Sequence, residues 1–242
     1  SPRLGDAPIG KLLAGDEDTV EGSVRIASQL KGSVLGIQGP PGSGKTYTGA
    51  MIILKLSQQG KRIGVTAPSH KVIRNLFDKV LELGAENSIP VTLVHKPKEK
   101  SDQLPPGLEE AKDNRQALQA LNEKKVVGGT AWLWAHNDAR ETLDYLLVDE
   151  AGQMSLAHVL AASRAAKNVI LLGDPQQLEQ PQKASHPEGA DVAALTHLLD
   201  NRITMPEHKG IFLGITRRLH PNIKHFTSEV FYENRLDSLS GL

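Results

Sequence analysis

The 242-residue chain contains no cysteine. This absence excludes disulfide bonds, thiolate zinc sites and thiol nucleophiles, and it is compatible with a cytoplasmic protein, or a nuclear one in a eukaryote. The sequence also lacks a signal-peptide pattern and any apolar run long enough to cross a bilayer, so we expect no association with a membrane. Neither sign of charge is in excess, because Lys plus Arg and Asp plus Glu number 28 each. Any nucleic-acid surface must therefore be a local one.

One glycine-rich motif is the most informative feature that is present. It consists of Gly39, Pro40, Pro41, Gly42, Ser43, Gly44, Lys45 and Thr46. This matches G-x-x-x-x-G-K-[ST], and it stands between an apolar run at 34–37 and a helical pattern at 47–59. Its glycines let backbone N–H groups turn toward phosphate oxygens, and the following helix directs its positive dipole end at the same anion. The motif predicts binding of ATP and Mg²⁺, with Lys45 at the terminal phosphates and Thr46 on the metal.

The rest of the chain alternates between predicted strands and helices, which indicates an α/β domain with a parallel sheet and helices on both faces. Strands are predicted at 34–38, 62–67, 91–95, 125–129, 145–149, 168–172 and 211–216. Helices are predicted at 19–30, 47–59, 69–83, 155–166, 189–200 and 220–233. We expect residues 1–32 to precede a core formed by 33–242. A polar, proline-containing stretch and a charged helical pattern from Leu108 to Asn122 predict a small insertion at about 96–123.

Two adjacent carboxylates, Asp149 and Glu150, follow an apolar strand. Burying such a pair is costly unless a cation or strong donors accompany it. Mg²⁺ that arrives with ATP would supply the cation, held by Asp149 through water, while Glu150 would orient and deprotonate the attacking water. The alternative is that the pair only caps the helix that follows.

The segment 172–178 is the third candidate. A glutamine side chain offers both a donor and an acceptor, so Gln177 is the candidate contact to the γ-phosphate or the attacking water. Asp174 either contributes to the same chemistry or merely caps the following turn.

Taken together, these segments resemble the motifs of superfamily 1 helicases, in the branch that includes the nonsense-mediated-decay RNA helicase and the replication nuclease-helicases. The matching segments are 39–46 (motif I), 66–71 (motif Ia), 128–130, 148–153 (motif II), 173–178 (motif III) and 218–221 (motif IV). Motifs I and II alone would indicate only a P-loop ATPase. Motifs III and IV in this order make the resemblance specific.

The resemblance implies a RecA-like P-loop NTPase fold and an ATP-hydrolysing motor that moves along single-stranded DNA or RNA. It implies phosphate and Mg²⁺ binding by Lys45, Thr46 and Asp149, with Glu150 as the base. It also implies that Gln177 and Arg218 face the γ-phosphate, where an arginine would stabilise transition-state charge. The alternative for Arg218 is an ordinary surface arginine.

The same resemblance implies a track for the strand and a missing partner domain. The implied strand contacts are Pro68, Ser69, Lys71 and Thr130. Family members carry a second RecA-like domain, which we expect in the same full-length protein because this chain starts at Ser1 and stops soon after motif IV. We therefore expect weak ATP hydrolysis by this domain alone. The family's upstream glutamine motif, which reads adenine, has no counterpart in residues 13–20.

Several alternatives remain open on the residues alone. Trp132 and Trp134 either both pack in the core or one of them stacks on a base. The function could also be that of a non-translocating P-loop ATPase that remodels a protein partner, a degenerate module that binds nucleic acid without turnover, or a small-molecule kinase. The acid pair fits water activation better than the kinase reaction.

Overall fold

The computed structural model describes residues 1–5, 10–99, 101, 103–177 and 192–239. Its strands are β1 (Val34–Gln38), β2 (Ile63–Thr66), β3 (Leu93–His95), β4 (Leu108–Glu110), β5 (Val126–Gly128), β6 (Leu143–Val148), β7 (Ala166–Gly173), β8 (Gly210–Phe212), β9 (Ile215–Thr216) and β10 (Asp237–Ser238). Its helices are α1 (Thr19–Gln29), α2 (Lys45–Gln58), α3 (His70–Glu86), α4 (Asn114–Ala120), α5 (Ala131–Ala135), α6 (Leu156–Ser163), α7 (Ala194–Leu199) and α8 (Pro221–Phe231). In the described part, no helix is both long and apolar enough to cross a membrane.

Eight strands form one sheet in the order β4-β3-β5-β2-β6-β7-β1-β8. All pairings in this sheet are parallel. Two buried apolar clusters include side chains from these strands, one containing residues of α1, α2 and α3 and the other residues of α4 to α7. This arrangement explains why the central strands read as nearly continuous apolar runs, since both of their faces are buried. The predicted RecA-like α/β fold is confirmed.

Three local predictions differ from the structure. Residues 108–110 form a strand rather than the start of a helix, because Leu108 pairs with Leu93 and adds β4 to the edge of the sheet. Helix α3 continues through Gly84, whose carbonyl accepts a bond from the Ile89 N–H as the chain turns back. The strand predicted at 211–216 is divided into β8, in the large sheet, and β9, which pairs with β10. Residues 189–191 of the predicted 189–200 helix lie outside the described residues.

The topology divides the carboxyl edge of the sheet into two halves. Parallel strands all end at this edge, which is where ligands bind in open α/β sheets. The phosphate loop follows β1, residues 149–150 follow β6, and residues 174–177 follow β7. Residues 68–69 follow β2 and Thr130 follows β5, on the other side of β6. One half of the edge thus carries the phosphate-binding and acidic residues, and the other carries the predicted strand contacts.

Candidate nucleotide and nucleic-acid site

The phosphate loop turns at two glycines with positive φ. Gly42 has φ +76°, and Gly44, with φ +90°, directly precedes α2. Residues other than glycine rarely adopt such angles, so these two glycines set the path of the loop. Inside the loop, Lys45 Nζ donates a hydrogen bond of 2.7 Å to the Gly39 carbonyl. The ammonium group therefore faces the interior of the loop, as a phosphate-binding lysine must.

Two distant segments hold the loop in place. The Gly39 N–H donates to the Gly173 carbonyl at 2.9 Å, next to the 174–177 segment. On the other side, Thr216 Oγ1 donates to the Pro41 carbonyl, and the Arg217 N–H donates to the Gly42 carbonyl, both at 2.9 Å. Motif I is therefore in contact with motif III and with the two residues that precede motif IV.

Arg218 lies beside the phosphate loop and is exposed to solvent. Its N–H donates to Thr216 Oγ1 at 3.2 Å, the same hydroxyl that binds the loop. A side chain at position 42 would collide with the Arg218 Cβ atom. The backbone thus brings this arginine to the loop, and its role toward the γ-phosphate stays a prediction.

Of the two adjacent acids, Asp149 is the more deeply buried. Asp149 is only 5% exposed, and burial together with the neighbouring Glu150 carboxylate raises the pKa of Asp149 to about 7. The Glu150 N–H, which donates to Asp149 Oδ1 at 2.9 Å, and the Lys45 ammonium oppose that rise. Glu150 itself has φ +52°, a conformation that is strained for a non-glycine residue and that recurs at functional sites.

Three buried polar atoms in the described part lack a hydrogen-bond partner in the protein: Ser43 Oγ, Thr66 Oγ1 and Glu150 Oε2. Ser43 belongs to the phosphate loop, and Thr66 is the last residue of β2, whose carbonyl accepts the Asp149 N–H at 2.9 Å. Buried polar groups without partners are rare and costly. Their occurrence at the carboxyl ends of β1, β2 and β6 indicates a site shaped for a polar ligand.

The same residues fit a magnesium ion. Among the described residues, no group of three or more His, Asp or Glu side chains is arranged to hold a metal alone. Mg²⁺ does not require such a cage, since it is usually held by one or two carboxylates together with water and substrate phosphates. Asp149 and the Thr46 hydroxyl offer oxygen ligands of that kind, and the open Glu150 Oε2 is a further acceptor at the site.

The 174–177 segment is anchored by a residue that the sequence reasoning missed. Asp174 is 1% exposed, and it accepts bonds from the Tyr232 hydroxyl at 2.7 Å and from the Gln176 N–H at 3.2 Å. Burial raises the pKa of Asp174, and these bonds, the Lys45 charge and a bond from the Gln177 side chain oppose the rise. Asp174 therefore caps the turn. Tyr232 lies far along the chain, and no sequence pattern linked the two residues.

Motifs II and III are packed backbone to backbone. The Ala151 N–H donates to the Leu172 carbonyl at 2.7 Å, and a Cβ atom on Gly152 would collide with the Asp174 carbonyl. Glycine at position 152 is thus required by this close approach. The backbones of the two motifs are thus in direct contact.

Replacing Tyr232 with phenylalanine tests the anchor of the 174–177 segment. The change leaves a buried carboxylate oxygen of Asp174 without its donor, so we expect the free energy of unfolding to fall by about 1–3 kcal/mol. Chemical denaturation measures this change. Tyr47→Phe is the matched control, because Tyr47 is 42% exposed and its hydroxyl should contribute little. Equal effects of the two variants would contradict the anchoring role.

The predicted strand contacts lie on the other half of the edge. Pro68 and Thr130 are half-buried, and Ser69 is half-buried with its Oγ accepting from the Val72 N–H at 3.3 Å, which caps α3. Lys71 is exposed on the first turn of that helix. These four residues follow β2 and β5, which are neighbours in the sheet. Their role in binding a strand stays a prediction.

A histidine pair adjoins these contacts, with the half-buried His70 directly after Ser69. His95 is 4% exposed, and its Nε2 lies 3.2 Å from His70 Nδ1. Burial lowers the pKa of His95 to about 4, with a further contribution from His70, while Glu110 opposes the shift. The pKa of His70 is lowered as well, first by burial and then by Lys96.

The depressed pKa of His95 makes stability pH-dependent. Because the folded state binds fewer protons than the unfolded state, whose histidine has a pKa of about 6.5, the free energy of unfolding falls as the pH drops from about 6.5 toward 4. His95→Gln should make this fall shallower, as measured by denaturant titration across that range. His208→Gln, at an exposed position, is the control. An unchanged pH slope for His95→Gln would refute the assignment.

The two tryptophans occupy opposite environments. Trp134 is fully buried and its Nε1 donates to the Val65 carbonyl at 3.0 Å. Trp132 is 79% exposed. The expectation that both pack in the core is therefore correct for Trp134 and wrong for Trp132. The reason is their spacing, since residues two apart on the short helix α5 point to different sides.

The sequence comparisons agree with this geometry. The profile of a family described as an AAA domain matches residues 24–198. The chain is 30% identical over 240 residues to the ATP-dependent helicase NAM7 of Saccharomyces cerevisiae, covering 84% of this chain and 24% of that protein. It is 31% identical over 147 residues to the DNA replication ATP-dependent helicase/nuclease DNA2 of the same yeast, covering 59% of this chain and 10% of that protein. The chain thus spans a quarter or less of the length of these relatives.

A comparison with solved structures supports the fold. The arterivirus nonstructural protein 10 helicase, solved with DNA, superimposes with a TM-score of 0.53 at 15% identity. The match covers 92% of this chain and 44% of the viral one. The chain belongs to the AAA domain family, and it has the RecA-like fold and the motif order of the first RecA-like domain of superfamily 1 helicases.

Proposed function

We propose that this domain binds ATP with Mg²⁺ between its phosphate loop and its acid pair and hydrolyses it. In the full-length protein, hydrolysis would drive movement along single-stranded DNA or RNA. The observation that carries the proposal is the set of unpartnered buried oxygens, Ser43 Oγ, Thr66 Oγ1 and Glu150 Oε2, at the same sheet edge as Lys45 and Asp149. A second RecA-like domain in the same protein would complete the cleft, and the cytoplasm or nucleus would be its setting.

The proposed roles of the residues are consistent with their positions. The loop N–H groups and Lys45 would bind the phosphates, and Thr46 and Asp149 would hold Mg²⁺, which neutralises charge on the phosphate oxygens. Glu150 would accept a proton from the attacking water as the water oxygen bonds to the γ-phosphorus and the bond to the β–γ bridging oxygen breaks, which releases ADP and phosphate. Gln177, bonded to Asp174, would contact the γ-phosphate or that water.

The remaining predicted residues couple this chemistry to a strand. Arg218, beside Gly42, would stabilise charge that develops on the transferred phosphoryl group. Pro68, Ser69, Lys71 and Thr130 would contact the backbone of a single strand. The Asp149 N–H donates to the Thr66 carbonyl, two residues before Pro68. A change at the acid pair would therefore be passed to the strand contacts.

Phosphate release by the full-length protein tests the proposal. We expect ATP hydrolysis to be stimulated by a single-stranded DNA or RNA oligonucleotide, and the stimulation to decline with salt because backbone contacts are ionic. Lys71→Ala should weaken the stimulation. Lys61→Ala should not, because Lys61 lies just before the amino end of β2, away from the carboxyl edge of the sheet. Hydrolysis that no strand stimulates would favour a protein-remodelling ATPase, and no hydrolysis at all would favour a degenerate binding module.

A further inference from the structure

The aromatic side chain of Trp132 is exposed in a way that packing does not explain. It is 79% exposed, whereas the other tryptophan of the chain, Trp134, is fully buried. Water exposure of a large apolar ring is unfavourable, and a tryptophan offers a broad π-face to a ligand. Its neighbour in space is the His158 ring, at a centroid distance of 6.5 Å and an interplanar angle of 63°.

Both rings lie at the carboxyl edge of the sheet. Trp132 is the second residue of α5 and follows Thr130, one of the proposed strand contacts, by two positions. His158 is on the first turn of α6, which follows the acid pair. The two helices pack against each other. The aromatic pair therefore continues the row of proposed strand contacts, with Trp132 after β5 and His158 after β6.

The histidine ring is held in place by a buried serine. Ser155 Oγ lies 3.0 Å from His158 Nδ1 and also accepts the His158 N–H at 3.4 Å. With its oxygen accepting from the backbone, the hydroxyl can donate its proton to Nδ1. Ser155 is only 8% exposed. This fixes the orientation of His158 beside Trp132, and the tryptophan side chain remains 79% exposed with that neighbour in place.

The shape of this surface favours a single planar ligand. The other large apolar side chain that α6 exposes, Leu160, is two residues beyond His158 and so lies about 200° around the helix. The aromatic pair is thus not extended on α6 into the wider apolar patch that a protein partner would cover. One base can stack on one indole face, and such stacking is independent of sequence because every base has a π-face.

We propose that Trp132, supported by His158, is a base-stacking site for the single strand. The proposal rests on the strand binding described under the proposed function and adds a contact to a base to the contacts made to the backbone. The backbone contacts set affinity through charge, whereas Trp132 would hold one nucleotide in register beside Thr130. The ligand class is therefore a single-stranded nucleic acid that carries bases, either DNA or RNA.

Two strands of equal length separate stacking from backbone binding. One is an oligothymidylate, and the other is an abasic strand with the same sugar-phosphate backbone. Trp132→Ala should raise the Kd for the base-bearing strand about 5- to 150-fold, the equivalent of about 1–3 kcal/mol for one stacked base. It should leave the Kd for the abasic strand unchanged. Because Trp132 is exposed, its replacement should not disturb folding.

Tryptophan fluorescence gives a second readout on the same chain. In Trp134→Phe, which keeps only Trp132, the base-bearing strand should quench the emission and the abasic strand should not. Trp132→Phe should retain part of the affinity, since a smaller ring still stacks. The stacking site alone would be overturned if Trp132→Ala weakened the binding of both strands equally or weakened neither. It would also be overturned if the base-bearing strand did not quench the emission of Trp134→Phe. Absence of wild-type binding to either strand would overturn strand binding itself, and the stacking site with it.

Discussion

Glu150→Gln is expected to lower the rate of ATP hydrolysis by about 10²- to 10⁴-fold and to leave nucleotide binding close to wild type. Glutamine keeps the size and the oxygen of the side chain but cannot take up a proton. The backbone at this position has φ +52°, and glutamine imposes the same conformational cost as glutamate, so the local path should persist. Single-turnover phosphate release gives the rate, and titration with a fluorescent ATP analogue gives the Kd.

Glu141→Gln is a control matched in chemistry and in backbone conformation. Glu141 has φ +57° and lies at the opposite end of β6, where its carboxylate pairs with Arg140 and is largely exposed. Both variants remove a negative charge from a residue with positive φ. They differ in location, because only Glu150 lies beside Asp149. Hydrolysis by Glu150→Gln at the wild-type rate, or an equal loss in Glu141→Gln, would remove Glu150 from the role of base.

The sequence predicted the parts of the fold that depend on local patterns. Apolar runs ending in polar residues marked β1, β2, β6 and β7, because strands buried on both faces leave little choice of residue type. The glycines of the phosphate loop were recognisable because positive φ angles are confined to few residue types.

The parts that depend on tertiary contacts were not predictable in the same way. Leu108 begins a strand rather than a helix only because β3 offers it a free edge for pairing. Tyr232 anchors Asp174 from 58 positions away, and a single tyrosine carries no pattern that points to a partner. The difference between Trp132 and Trp134 likewise depends on which side of α5 faces the sheet.

For the candidate site, the sequence predicted the residue types and the structure added the reasons for their proximity. The loop, the 149–150 acids and the 174–177 segment follow the adjacent strands β1, β6 and β7, and this adjacency results from the strand order. Gly152 illustrates the point, because its lack of a side chain allows motif II to contact the Asp174 backbone. Nothing in the sequence distinguished this glycine from one in an ordinary turn.

Lys45→Ala is expected to weaken ATP binding about 10- to 150-fold, since a hydrogen bond to a charged group contributes about 1.5–3 kcal/mol. It should also abolish measurable hydrolysis. Lys45 is half-buried, and its charge holds down the pKa values of both Asp149 and Asp174. Removing it therefore leaves two buried acids without their shared cation as well as depriving the phosphates of a donor. Nucleotide titration and phosphate release measure the two losses.

Lys55→Ala, near the other end of the same helix, is the matched control. Lys55 is exposed in the last turn of α2, so its removal alters the charge of the helix without touching the phosphate loop. A further comparison uses the stabilisation that a bound ligand confers on the folded state. ATP with Mg²⁺ should raise the Tm of the wild type and of Lys55→Ala but barely that of Lys45→Ala. Equal shifts in all three would mean that the nucleotide is bound elsewhere, and the roles of Asp149, Glu150 and Gln177 would lose their common ligand.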